Sequence, residues 1–215
     1  MRKRLGAHAL LGSAMAITMC VAGGALAAAQ TPLAIDSARI TISGTSNIHA
    51  YTASTTTVRV TRALVAGPLD GPDVWTNALK PGGVEAFEIA IPAGTLTSPK
   101  GDLDKNMYKA LQVKDHPDIV FRLLRFEPRP GDPGVVRGIG VLHIAGVERE
   151  VALDITTEHK GETLTVHGQL QLLMTDYGIK PPTAIFGRLK TGDEVKINFE
   201  LSVGAKAIAA ATGQP

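Results

Sequence analysis

The chain has 215 residues, of which 44% are hydrophobic and 20% charged, and 22 Lys and Arg stand against 20 Asp and Glu. Basic and acidic residues are therefore nearly equal in number, and the basic residues form no dense cluster. This charge pattern excludes the electrostatic footprint of a nucleic-acid-binding protein. The single cysteine, Cys20, lies near the amino terminus. The rest of the chain therefore offers no disulfide, thiol nucleophile, haem-attachment motif or cysteine-based metal site.

The amino-terminal segment has the pattern of an export signal. Three basic residues within the first four positions precede an almost uncharged run over 5–29, which ends in small residues that supply an A-x-A cleavage site. Cys20 follows Met19, whereas lipid attachment requires a small residue there. We therefore expect an unlipidated signal peptide over 1–29 and a periplasmic or secreted protein. The remaining chain has 19 basic and 20 acidic residues, a net charge of −1.

Beyond this segment, apolar and polar residues alternate with a period of two. The alternating segments are, in chain order, 39–48, 57–64, 87–91, 119–124, 136–144, 147–155, 164–174 and 195–203. Turns rich in Gly, Pro and Asp separate them, which predicts an antiparallel all-β protein with one buried face. Glycines on the inward parity (Gly44, Gly138, Gly140 and Gly168) are typical of bends or bulges, and they favour a closed barrel over a sandwich.

One short helix is predicted between the third and fourth strands. Asp102 can cap it, and Leu103, Met107 and Leu111 then form one apolar stripe with Tyr108 at its edge, so the helix should cover a barrel mouth or edge. Together these elements predict an all-β, eight-stranded antiparallel barrel with one short helix, wide enough to be filled by side chains or to hold one small ligand. The barrel domain should span 38–204, and 205–215 should form a frayed tail.

No motif in the chain carries catalytic or metal-binding chemistry. His116 precedes Pro117, which restricts it to extended backbone, so we interpret it as the boundary between the helix and the next strand. The other histidines beyond the amino-terminal segment lack the spacing of metal ligands, and there is no G-x-S-x-G, S-x-x-K, P-loop or G-x-G-x-x-G motif. We therefore expect a protein that is not an enzyme and that holds no metal or cofactor.

Several short motifs resemble those of the YceI-like proteins. They are, in chain order, GTSNIHAYTASTTTV, MYKALQVKDHPDIVFRL, GVLHIAGVEREVALDI, MTDYGIKPP and GDEVKINFELSV. The resemblance extends over 40–203, and only the loop 67–83 departs from it. It implies an exported protein with a lipocalin-like eight-stranded antiparallel barrel. It also implies a long apolar ligand, a polyisoprenoid or an isoprenoid quinone, enclosed in that barrel.

Strand parity and the resemblance together predict the ligand-binding residues. The body of the cavity should be lined by Ile42, Ile48, Phe87, Ile89, Phe121, Leu172, Ile197 and Phe199. Met107 and Tyr108 should close one end, and Tyr177 and Phe186 should form the other rim. His49 is the best polar candidate for a functional role, but the preferred interpretation is that it satisfies a carbonyl at the barrel end. The alternatives are a ligand-free structural or interaction module of the cell envelope, or a hydrolase whose site forms only in the fold. No nucleic-acid partner and no membrane-spanning segment are expected.

Overall fold

The structure is a computed structural model, and it describes residues 33–66, 74–129, 135–161, 163–184 and 188–205. The expected signal peptide and residues 206–215 of the expected tail lie outside these ranges. Among these residues the first strand starts at Leu33, before the predicted domain start at residue 38, and the last strand ends at Ala205. Within these ranges no helix is both long enough and apolar enough to cross a membrane.

Antiparallel strands make up most of the described chain. They are β1 (Leu33–Ser46), β2 (Ala50–Thr55), β3 (Arg59–Val65), β4 (Val84–Pro92), β5 (Asp118–Pro128), β6 (Val135–Ile144), β7 (Val147–Lys160), β8 (Thr163–Leu173), β9 (Thr183–Ala184) and β10 (Leu189–Ala205). The helices are α1 (Val74–Ala78) and α2 (Gly101–Ala110), with 3₁₀ turns at Ala93–Thr95 and Met174–Tyr177. The prediction of an antiparallel all-β fold is confirmed, although the described residues form ten strands rather than eight.

The strands form one sheet in the order β2-β1-β10-β8-β7-β6-β5-β4-β3, and β9 adds to β10. The sheet curls so that β1 approaches β3, which gives a barrel-like wall around a central space. The edge of β2 is joined to the segment after β4, because Ser54 and Thr97 exchange backbone hydrogen bonds of 2.8 and 3.0 Å. We name the two open ends of the curled sheet the α1 end and the α2 end, after the helix that lies beside each.

The α1 end and the α2 end differ in what packs there. At the α1 end, Trp75 packs with the start of β1 and the ends of β3 and β10 in one buried cluster. At the α2 end, Leu96 and Tyr177 pack with the end of β6, and Met107 of α2 packs against them. The two clusters share Val58, Phe121 and Phe199 at their boundary. The core therefore runs along the full length of the barrel.

The predicted cap of the helix is wrong. Asp102 does not cap α2, since Lys100 occupies the N-cap position without a side-chain bond and Asp102 forms an exposed 3.1 Å pair with Lys105. Asp104 instead accepts a 2.8 Å hydrogen bond from the Ser98 amide and so fixes the loop that leads into the helix. Helix α1 was not predicted at all, because a helix of one turn shows no apolar periodicity.

Candidate functional site

An apolar cavity of about 280 Å³ runs inside the curled sheet from one end to the other. Leu33, Leu164 and Val203 line it at the α1 end, and Ile144 and Thr191 line it at the α2 end. Its volume is close to the lower limit of ordinary ligand sites, about 300 Å³. A cavity of this volume that reaches both ends of the barrel has room for one slender chain.

Most of the predicted site residues lie on the wall of this cavity. Those that line it are Ile42, Phe87, Ile89, Met107, Phe121, Leu172, Tyr177, Ile197 and Phe199. They come from both halves of the sheet and from α2, so long-range strand pairing assembles the lining. Their contact with a ligand stays a prediction.

Three other predicted residues, Ile48, His49 and Tyr108, do not line the described cavity. Ile48 is 60% exposed and His49 is also exposed, because β1 ends at Ser46 and the chain turns there. The Ser46 amide and hydroxyl both donate to the His49 carbonyl, at 2.9 and 2.8 Å, so the strand parity that placed Ile48 inward ends at this turn. Tyr108 donates a 2.6 Å hydrogen bond to the Leu96 carbonyl and supports the loop under α2. Phe186 lies outside the described residues.

Three aromatic residues in the lining were missed, namely Tyr51, Trp75 and Phe126. Phe126 lies beyond a register shift between Leu123 and Arg125, which interrupts the strand parity that places Phe121 inward. Tyr51 lies on β2, whose inward positions also include Ala53 and Thr55, so the strand has too little apolar alternation to be recognised. Trp75 is the only tryptophan of the chain and is 1% exposed. A lone tryptophan inside the loop that departs from the family pattern was the available signal, since large aromatic side chains are usually well buried.

Three aromatic rings on the cavity wall lie over glycines of neighbouring strands. Their contacts pair Tyr51 with Gly44, Phe121 with Gly140 and Phe199 with Gly168, and a Cβ at any of these glycines would overlap the ring. Bulges were predicted at these glycines. The strand pairing does shift register next to Gly44 and next to Leu123, the partner of Gly140, but it does not shift at Gly168. The feature common to all three glycines is therefore the aromatic ring that covers them. Each ring can lie against the wall only because its neighbour has no side chain, so the central space stays open.

Polar residues in the lining concentrate at the α2 end. They are Tyr51, Asn106, Tyr177, Thr183 and Thr191, of which Asn106 and Thr183 are exposed to solvent. The α1 end is lined by carbon apart from the Trp75 indole nitrogen. Water-contacting residues mark the α2 end as the entrance, and the carbon-lined α1 end is where an apolar tail would be buried.

Two buried polar atoms of the lining have no hydrogen-bond partner among the described residues. They are Trp75 Nε1 and Tyr177 Oη, on side chains that are 1% and 2% exposed. Burial, reinforced by the charge of Asp176, raises the pKa of Tyr177 to about 12. Burial also raises the pKa of Tyr51. Tyr177 therefore keeps its proton, and can donate it, at any physiological pH.

No group of metal-ligating side chains accompanies the cavity within the described ranges. Three or more His, Cys, Asp or Glu residues do not come together there in a way that could hold a metal ion. His116 lies between α2 and β5, where its amide donates a 2.8 Å hydrogen bond to the Gln112 carbonyl. Its ring lies edge-on to that of His143, with centroids 6.2 Å apart. This position fits the interpretation of His116 as a boundary between helix and strand.

An apolar cavity enclosed by a curled antiparallel sheet is the arrangement of barrel folds that hold one small apolar ligand. The model of the YceI-like domain family matches residues 33–203, so the chain belongs to the YceI-like family. The resemblance predicted from the motifs is thereby confirmed, over a slightly longer range than predicted.

Solved structures of low identity share the fold. BcnA of Burkholderia cenocepacia is 16% identical with a TM-score of 0.58, over 79% of this chain and 99% of that one. A polyisoprenoid-binding domain from Saccharophagus degradans is 10% identical with a TM-score of 0.59, over 82% and 99%. The YceI protein of Campylobacter jejuni is 15% identical with a TM-score of 0.52, over 70% and 85%. No curated protein matches the chain.

Proposed function

We propose that this protein encloses one long apolar lipid, a polyisoprenoid or an isoprenoid quinone, and carries it without chemical change. The observation that carries the proposal is the end-to-end cavity, whose wall is carbon over most of its length. The name of the Saccharophagus degradans neighbour, a polyisoprenoid-binding domain, agrees with this ligand class. A cavity of about 280 Å³ suits a slender chain better than a rigid polycyclic ligand.

Burial of apolar surface supplies the binding free energy. A chain that buries several hundred Å² gains on the order of 5–10 kcal/mol at about 25 cal/mol per Å². Loss of translational freedom and of rotamers in the chain offsets part of this gain. The three rings over Gly44, Gly140 and Gly168 add flat apolar surface without occupying the central space. The wall therefore favours a ligand that makes contacts along its whole length.

Export to the periplasm or the medium is part of the proposal, and it is supported by the basic and then apolar amino-terminal segment. Mass spectrometry of the protein from a producing cell should show a first residue between Ala28 and Thr31 and no lipid on Cys20. A protein that retains Met1, or that carries a diacyl group on Cys20, would contradict a freely exported carrier.

The ligand is tested directly by solvent extraction of the purified protein and mass spectrometry of the extract. We expect a prenyl lipid near one molecule per chain. Phe121→Trp adds volume to the cavity wall and should lower the loading severalfold, whereas Leu124→Trp, at a 45% exposed position of the same strand, should not. An empty extract, with no uptake of added geranylgeraniol, would favour the ligand-free structural module. Equal loading in both variants would move the ligand away from this cavity.

A further inference from the structure

The Tyr51 hydroxyl lies on the inner face of the curled sheet. Tyr51 pairs with Gly44 in the ladder between β1 and β2. On β1, Gly44 has the same parity as Ile40 and Ile42, and both of these line the cavity. A Cβ on Gly44 would therefore point into the barrel, and there it would overlap Tyr51 Oη. The hydroxyl thus occupies the inward space that Gly44 leaves free.

The same hydroxyl is open to a bound molecule. Tyr51 Oη makes no hydrogen bond to any residue that the structure describes. Trp75 Nε1 and Tyr177 Oη also lack partners, but these two atoms are fully enclosed by protein, so neither leaves room for a ligand atom beside it. Tyr51 is half-buried, and its oxygen is not enclosed. A ligand oxygen can therefore replace water at this hydroxyl.

The position of Tyr51 along the barrel decides which part of a lipid it would meet. Its partner Gly44 lies two residues before Ser46, where β1 ends and pairs with Thr191 of β10. Thr191 also lines the cavity, at the α2 end. Burial of an apolar tail is favourable and burial of a polar head is not, so the tail occupies the α1 end and the head stays near water. The head group then lies at the level of the Tyr51 hydroxyl.

The charge of the lining decides what kind of oxygen fits beside Tyr51. Within the described chain, the residues that line the cavity include no Asp, Glu, Lys, Arg or His. A charged head group would therefore be buried without a partner, which is costly, whereas an uncharged oxygen needs only one hydrogen-bond donor. Burial raises the pKa of Tyr51, so its hydroxyl keeps its proton and can donate at neutral pH.

We propose that Tyr51 Oη donates a hydrogen bond to an uncharged, carbonyl-type oxygen at the head of the bound lipid, so that the cavity prefers oxygen-headed chains to hydrocarbons of the same length. This inference rests on the proposed lipid-carrier function and specifies the chemistry of its ligand. The close contact with Gly44 holds the end of the Tyr51 ring in place. Little freedom is therefore lost when a ligand oxygen binds to the hydroxyl.

The test compares 2-pentadecanone with n-pentadecane, which share a chain length and differ in one carbonyl. Purified protein, stripped of lipid by solvent or detergent exchange, is equilibrated with each probe, and the dissociation constants are measured by gas chromatography of bound and free fractions. Tyr51→Phe removes one oxygen and leaves the ring over Gly44. We expect it to weaken ketone binding about fivefold relative to alkane binding, which is the contribution of one net hydrogen bond.

Tyr177→Phe is the matched control, because it removes a hydroxyl from the same end of the barrel but one that is enclosed by protein. It should leave the ratio of ketone to alkane affinity as in the wild type. An unchanged ratio in Tyr51→Phe, or an equal fall in both variants, would overturn the proposal. Alkane binding serves as the folding control, because it does not depend on either hydroxyl. If the wild-type protein retains neither probe, the carrier function itself fails, which is distinguishable from a loss of head-group preference.

Discussion

Replacement of Gly168 by alanine should close part of the cavity while the barrel stays folded. Gly168 lies directly opposite Phe199 in the β8–β10 ladder, and a Cβ at this position would overlap the ring. Both residues belong to continuous strand pairing, so the backbone has little freedom to recede. The Phe199 ring must therefore leave the wall and turn into the cavity that it now borders.

The cost to stability should be small. Overpacking a core typically costs about 1–3 kcal/mol, and the open space beside Phe199 favours the low end of that range. Alanine also reduces the conformational entropy of the unfolded chain, which stabilises the folded state by about 0.4–1 kcal/mol where the backbone geometry suits alanine. Gly168 meets this condition because its φ is not positive. We expect the free energy of unfolding, measured by urea denaturation, to fall by no more than about 2 kcal/mol.

The cost to binding should be larger. Each methylene of a ligand that the displaced ring excludes from the cavity loses about 0.8 kcal/mol. A ring that takes the place of three methylenes would thus lower affinity by about 2.4 kcal/mol, or roughly fifty-fold. The assay is the dissociation constant for n-pentadecane, measured on the wild-type protein and on Gly168→Ala.

Gly138→Ala is the matched control, because Gly138 also lines the cavity but a Cβ there would lie 3.5 Å from Leu123 Cδ1, an ordinary contact. It should leave affinity within about twofold of the wild type, a change well below 1 kcal/mol. The double variant Gly168→Ala/Phe199→Leu should recover part of the lost affinity, since the side chain that was displaced is smaller. Undiminished binding by Gly168→Ala, or an equal loss in Gly138→Ala, would refute the idea that glycines hold the cavity open.

Two further predictions test the register and the buried hydroxyl. Phe199→Asp places a charge on the inner wall and should lower the free energy of unfolding by several kcal/mol or prevent folding. Asn198→Asp, at an exposed position, should change the free energy of unfolding by less than about 0.5 kcal/mol. Similar losses for the two variants in urea denaturation would contradict the register. Tyr177 has a folded-state pKa of about 12, above the ordinary 10.0, so between these values the native state holds a proton that the unfolded state has lost. The free energy of unfolding should therefore fall as pH rises from 10 to 12, by up to roughly 2–3 kcal/mol more in the wild type than in Tyr177→Phe. Parallel pH profiles for the two proteins would show that this hydroxyl titrates normally.

The sequence predicted the inner wall best where strands are long and uninterrupted. On β10, the alternation that contains Ile197 and Phe199 faces the cavity as predicted, because a residue period of two is preserved for as long as the chain stays extended. Ile48 shows the limit of this reasoning. The strand ends at Ser46, whose side chain and backbone close a turn onto His49, and parity carries no information beyond such a turn.

Short elements escaped prediction for a different reason. Strand β2 contributes Tyr51 to the wall, but its next inward residues are Ala53 and Thr55, so almost no contrast in hydrophobicity marks the strand. Helix α1 has a single turn, too short for a helical period to show, and only its buried tryptophan distinguishes it. Tertiary contacts stabilise both elements, and such contacts are not visible in the local sequence.

The pairing of rings with glycines could not be predicted from local sequence, because it depends on register between distant segments. Phe199 and Gly168 lie on different strands, and only the ladder between β8 and β10 places them opposite each other.

The pairing of rings with glycines shows that the cavity is encoded by the sequence and is not a packing defect. Protein interiors are normally filled to high density, and any larger side chain at Gly44, Gly140 or Gly168 would displace a ring into the central space. Glycine weakens a strand and contributes no packing of its own. Three glycines, each beneath a ring on the same cavity wall, therefore indicate that the sequence maintains the open space at a cost to stability, which is the expected trade-off at a binding site.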